Sequence, residues 1–283
     1  MDKSPNEKTI ALRSGTRMPR IGFGTFNIPR EDTQRCVEEA LAMGYRLIDT
    51  ATAYGNEAQV GAAITASGMR EQAFVTGKLR NADQGREATL SAFERTRKAL
   101  RVDTLDLYLI HWPCPARDLY VETWQTLLEL RDQGAVREVG VSNFLPEHLE
   151  RLAAETGELP AVNQIESHPR WWQPELDTYC KQHGIAVEAY APLGRAGDLQ
   201  EDVVERAAAA HGVTPAQVIL RWHVQMGHAF VPKSAHVERM RANLDVYGFS
   251  LTDAEMQAIC DVAEKDPHRL CGDPATYEDP QLG

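Results

Sequence analysis

The chain has 283 residues, 43% hydrophobic and 25% charged, with a formal net charge of −11 and a pI of about 5.3. That size and composition allow a full hydrophobic core without disulfides or metals, and the acidic balance argues against non-specific affinity for nucleic acid or anionic membrane. No apolar run reaches the ~18 residues of a membrane span, the N-terminus MDKSPNEKTI lacks the apolar centre of a signal peptide, and five scattered cysteines without a CxxC pair read as reduced thiols, so a soluble cytoplasmic monomer is expected.

In chain order, Thr9–Met18 with Gly15 as its turn predicts a hairpin. Short apolar strands are then expected at Arg20–Gly24, Leu47–Asp49, Ala73–Lys78 and Leu105–His111. Val121, Trp124, Leu127 and Leu128 form one apolar stripe of a helix. Three further strands follow at Glu138–Ser142, Ala161–Ile165 and Ala186–Tyr190. Two helices are expected next, Leu199–His211 and Pro215–Met226. The second opens with Thr214 as N-cap and Pro215 at the first turn. Ala229–Val231 gives the eighth strand, Thr252–Val262 an extra helix with a Thr-Asp-Ala-Glu capping box, and Asp266–Gly283 a polar tail.

The strand ends Asp49, Lys78, His111 and Ser142 recur about every 30 residues, the spacing of parallel strands joined by crossover helices. Eight such units predict one (β/α)8 barrel domain over residues 1–283, with an N-terminal hairpin and two extra helices. A doubly wound open sheet is the competing fold. Gly22-Phe23-Gly24 is followed by Asn27 where a third glycine belongs, so the dinucleotide fingerprint of that fold fails.

Chemistry in parallel barrels sits at the C-terminal ends of the strands. Asp49, Tyr54, Lys78 and His111 all fall there. Singly, each has an ordinary alternative: a loop cap, a packing ring, a solvated lysine, a core imidazole. On successive strands they form a set suited to carbonyl reduction, which needs a hydride at carbon and a proton at oxygen. Lys78 beside Tyr54 is expected to lower the phenol from its usual ~10 by roughly 1–3 units, Asp49 to balance Lys78, and His111 to donate a hydrogen bond to the substrate oxygen. Cys114, near this group, is a candidate reactive thiol.

The run Asp49-Thr-Ala-Thr-Ala-Tyr54-Gly-Asn-Glu57, with Lys78 and His111-Trp112-Pro113, resembles the aldo-keto reductase family. Met18-Pro19-Arg-Ile-Gly22-Phe-Gly24-Thr25, Val141-Ser142-Asn143-Phe144, Val162-Asn163-Gln164-Ile165-Glu166 and Val231-Pro232-Lys233-Ser234 extend the likeness across roughly residues 10–270. Short loops after strands four and seven resemble the bacterial 2,5-diketo-D-gluconate reductase branch. The resemblance implies a catalytic tetrad of Asp49, Tyr54, Lys78 and His111, with Tyr54 as general acid. Hydride would come directly from reduced nicotinamide, without metal. The amide and hydroxyl groups of Ser142, Asn143 and Gln164 suit the nicotinamide carboxamide, and Tyr190 matches the stacking aromatic. Thr25, Asp49, Pro192 and Leu193 are implied as further cofactor contacts.

Lys233, Ser234, Arg239 and Asn243 are implied at the 2′-phosphate end, so NADPH is expected over NADH. Ala242 stands where many relatives carry an acidic residue. Phe26, Tyr54, His111 and Trp112 are implied as substrate-pocket walls, Phe26 replacing a common tryptophan. The tail is expected at the pocket rim, where Arg269 could meet an acidic substrate or form a surface ion pair. Small dicarbonyls or keto-sugars are the expected substrates. The alternative is a non-catalytic NADPH-binding redox sensor or regulatory subunit.

Overall fold

Residues 5–279 are described in a computed structural model; residues 1–4 and the end of the tail, 280–283, lie outside the described residues. Strands β1 (Thr9–Ala11) and β2 (Arg17–Pro19) pair antiparallel around Gly15, whose φ of 93° is open to glycine without strain. Eight parallel strands follow: β3 (Gly22–Gly24), β4 (Leu47–Asp49), β5 (Phe74–Leu79), β6 (Leu105–Ile110), β7 (Val136–Ser142), β8 (Val162–Glu166), β9 (Ala186–Tyr190) and β10 (Ala229–Phe230). Each pairs with the next in chain order. A parallel bridge from Ile21 to Phe230 closes the ring, and the Gly24 amide donates to the Pro232 carbonyl at 3.2 Å. A Cβ at Gly24 would lie 2.9 Å from the Val231 carbonyl oxygen, so this closure requires glycine. The expected (β/α)8 barrel is the observed fold.

Strand boundaries differ by a residue or two from expectation, for tertiary reasons. The Arg20 amide pairs with the Lys8 carbonyl rather than with β4, so β3 begins later. The helix expected from Leu199 starts at Asp202, because Arg195 and Ala196 take left-handed conformations that break the preceding turns. Thr252 forms the reciprocal capping box read from sequence, and Thr214, read as an N-cap, forms one as well with Gln217.

Side chains alternate across each strand. Ile48, Val75, Tyr108, Val141, Ile165 and Ala189 face the surrounding helices in the large outer core. Leu47, Phe74, Leu107, Val162 and Ala229 fill the barrel's interior near the strand starts, where Leu12 and Met18 of the hairpin cover them. That plug leaves the opposite end, at the strand C-termini, for polar residues. The helices Asp202–His211, Pro215–Met226 and Asp253–Cys260 form a separate apolar cluster around Trp222.

Candidate active site

The same alternation builds the site. Counting in steps of two from the interior residues Leu47, Phe74 and Leu109 reaches Asp49, Lys78 and His111. On the other side of the barrel it reaches Ser142, Gln164, Glu188 and Tyr190. The sequence expectation thus converges on one end of the barrel, with Tyr54 arriving from a single turn at Thr52–Tyr54 after β4.

Lys78 is fully buried, and its Nζ donates to both Asp49 carboxylate oxygens at 2.6 Å, to the Thr50 carbonyl at 3.3 Å and to the Tyr54 hydroxyl at 3.3 Å. Burial alone would discharge this ammonium, but the ion pair with Asp49 and the neighbouring Tyr54 outweigh it and raise its pKa to about 12. It is a permanent cation.

Tyr54 corrects the expectation of a lowered phenol. Burial dominates, the Lys78 charge only partly offsets it, Asp49 adds to it, and the pKa stands at about 12. The Lys78 contact is a single 3.3 Å bond from a lysine already committed to Asp49. Tyr54 therefore holds its proton throughout the neutral range. His111 is pushed well below its ordinary value by burial and by Lys78, so it is a neutral imidazole. Its Nδ1 has no hydrogen-bond partner among the described residues, and its ring lies edge-on to Tyr54 at 5.9 Å.

Asn143 holds a left-handed backbone, φ 64°, tolerable for asparagine. Its amide donates to the His111 carbonyl at 3.0 Å and accepts from the Tyr190 hydroxyl at 2.8 Å. Ser142 donates to the Gln164 carbonyl at 2.9 Å, and Thr25 to the Asp49 carbonyl at 3.0 Å. Gln164 donates both amide protons, to Asp49 at 2.8 Å and to Glu188 at 2.6 Å. The Asp49 carboxylate at the nitrogen fixes which end of the side chain is NH2, and leaves its oxygen as the acceptor it can offer. Pro192 and Leu193 continue from β9, and the Pro192 carbonyl lies 3.4 Å from His223 Nε2.

The expected phosphate residues cluster after β10. Ser234 is buried and caps the His236 amide at 3.1 Å. Lys233 and Arg239 are exposed and have no ion-pair partner among the described residues, while Asn243 is buried on the helix Val237–Leu244. Two free cations beside a helix start fit a phosphate.

Phe26 is exposed at the mouth with its ring 5.0 Å from Tyr54. Trp112 is buried under Tyr277 of the tail, at 4.1 Å. The Leu270 and Cys271 amides donate to the Glu166 carboxylate at 2.6 and 2.9 Å, and Asn81 reaches the Asp279 carbonyl at 2.8 Å. Arg269 pairs with Asp273 at 3.2 Å and lies over Trp171. Burial pushes the Cys114 thiol up to about 12, which makes it unreactive near neutral pH. Tyr277, Glu166 and Glu188 are not among the residues singled out from sequence. For Glu188 the signal is its position, two residues before Tyr190 on the same strand face.

Residues 20–264 match the aldo/keto reductase family. An aldo-keto reductase of Mycobacterium sp. (strain JLS) is 48% identical over 269 residues, covering 95% of this chain and 97% of that protein. The 2,5-diketo-D-gluconic acid reductase B of Corynebacterium sp. (strain SHS752001) is 40% identical, covering 97% and 99%. A crystal structure of a Gox0644 mutant in complex with NADPH superposes with a TM-score of 0.91 at 44% identity, covering 95% and 98%. The chain belongs to the aldo/keto reductase family, whose members are NADP(H)-using oxidoreductases.

Proposed function

We propose that this chain reduces small dicarbonyls or keto-sugars to alcohols with NADPH, using Tyr54 as the general acid. The observation that carries this reading is the Lys78 ammonium bonded to both Asp49 oxygens and to the Tyr54 hydroxyl, beside a neutral His111. NADPH, when bound, supplies the hydride. His111 orients the substrate oxygen by a hydrogen bond from its Nε2–H. As the carbonyl π bond breaks and negative charge grows on that oxygen, Tyr54 transfers its proton there, and Lys78 stabilises the phenolate left behind. Asp49 keeps Lys78 charged.

Ser142, Asn143 and the Gln164 oxygen would hold the carboxamide, and Tyr190 would carry the ring. Thr25, Pro192, Leu193 and Asn243 would line the rest of the cofactor cleft. The unpaired Lys233 and Arg239, with Ser234, support NADPH over NADH. The Gox0644 complex supports the cofactor, and the Corynebacterium relative supports the substrate class. Phe26, Trp112 and the tail at Tyr277 would border the substrate.

The test mixes protein and NADPH with methylglyoxal, glyceraldehyde, 4-nitrobenzaldehyde and 2,5-diketogluconate, following NADPH absorbance. Turnover of methylglyoxal or 2,5-diketogluconate supports the reading. Tight NADPH binding with no turnover on any carbonyl would instead support the sensor.

A further inference from the structure

Beneath the tetrad lies a second carboxyl group. Glu188 sits on β9, fully buried, and faces Asp49 of β4, Lys78 of β5 and Gln164 of β8. Its β10 neighbour in the sheet, Ala229, brings no titratable group. Oε2 accepts from the Gln164 amide at 2.6 Å, while Oε1 has no partner among the described residues. Asp49 holds Lys78 with both oxygens; Glu188 has one neutral amide. One cation cannot balance two ionised carboxylates in this interior, and Asp49 has the stronger claim on it.

We propose that Glu188 is a positioning residue for the reduction, a proton-carrying carboxyl group that fixes the Gln164 amide and sets the net charge around the Asp49–Lys78 pair. The inference rests on the reading of Tyr54 as proton donor. Gln164 gives one proton to each carboxyl group, so Glu188 helps aim its oxygen toward the cofactor cleft. Burial, then the Asp49 charge, push Glu188 up to about 7. Below that, the group of Asp49, Lys78 and Glu188 holds one anion and one cation. Above it, a second anion strengthens the hold of Lys78 and Tyr54 on their protons, and Tyr54 becomes a weaker acid. Reduction therefore slows through neutrality to a lower plateau, rather than to zero. The step is about fivefold, the effect of one charge several ångströms away at an effective dielectric of about 20, half expressed in the transition state.

The experiment is kcat for reduction of a carbonyl substrate at saturating NADPH from pH 5.5 to 9, for the wild-type protein and Glu188→Gln, Glu57→Gln and Tyr54→Phe variants. Glu57 is the other buried carboxyl among the described residues that is pushed up to about 7, by its own burial. The wild type and Glu57→Gln are expected to show the step, and Glu188→Gln to lose it. A wild-type profile without a step, a step kept in Glu188→Gln, or a step lost in Glu57→Gln overturns the proposal. Retained reduction in Tyr54→Phe overturns the underlying reading instead. Should Glu188→Gln not fold, infrared spectra of Glu57→Gln decide. A protonated-carboxyl band that disappears near pH 7 supports the proposal, and its absence overturns it.

Discussion

Replacing Asp49 by Asn would leave the Lys78 ammonium in a fully buried site with a neutral amide in place of the carboxylate, beside the Thr50 carbonyl and the Tyr54 hydroxyl, each at 3.3 Å. Breaking a buried ion pair from one side costs about 3–5 kcal/mol, because the remaining charge keeps its desolvation cost and loses its counter-charge. Lys78→Met has the converse effect, leaving Asp49 and Glu188 facing each other without a cation. Each single variant is expected to lose about 3–5 kcal/mol, lowering the unfolding midpoint by roughly 6–10 °C for a chain of this length. Asp49→Asn with Lys78→Met removes both charges and should lie within about 2 kcal/mol of wild type, giving a coupling energy of at least about 4 kcal/mol. Equilibrium urea unfolding at pH 7, followed by tryptophan fluorescence, measures all four corners of the cycle. Single variants that lose less than about 1 kcal/mol and add independently would refute the claim that this pair is desolvated and mutually dependent.

Arg239→Ala is expected to weaken NADPH about tenfold to a hundredfold, the value of a charged hydrogen bond, and NADH less than threefold; dissociation constants from fluorescence titration decide it, and equal losses would remove the 2′-phosphate assignment. Glu57→Gln tests a buried carboxyl held at about 7 by desolvation, partly offset by Thr96 and Thr52. Its raised folded pKa means that ionisation costs stability above pH 7 and costs nothing below the unfolded value of 4.5. The variant should therefore be more stable than wild type above pH 7, by up to about 3 kcal/mol, with the gain vanishing as pH falls to 4.5. A stability difference that stays constant across that range would contradict the assignment.

The barrel and the tetrad were legible because both rest on local regularity. Period-two alternation places Asp49, Lys78 and His111 on interior faces, and parallel strands put their ends at one rim. Energetics were less legible. The Tyr54 phenol depends on how much water the folded mouth excludes and how fully Asp49 occupies Lys78, neither of which is written in the motif. Glu188 could be found by the same alternation, yet nothing local says that its partners come from strands across the barrel. The tail shows the same limit: the Glu166 carboxylate meets the Leu270 and Cys271 amides only after the chain has closed.

The central claim is that the proton delivered to the carbonyl oxygen comes from Tyr54. The most direct measurement is single-turnover oxidation of bound NADPH by methylglyoxal in wild type and Tyr54→Phe, with NADPH affinity measured on both. The account predicts a rate lower by about 10²–10⁴ at unchanged NADPH affinity. A Tyr54→Phe variant reducing methylglyoxal within about fivefold of the wild-type rate, well inside that general-acid contribution, would contradict it.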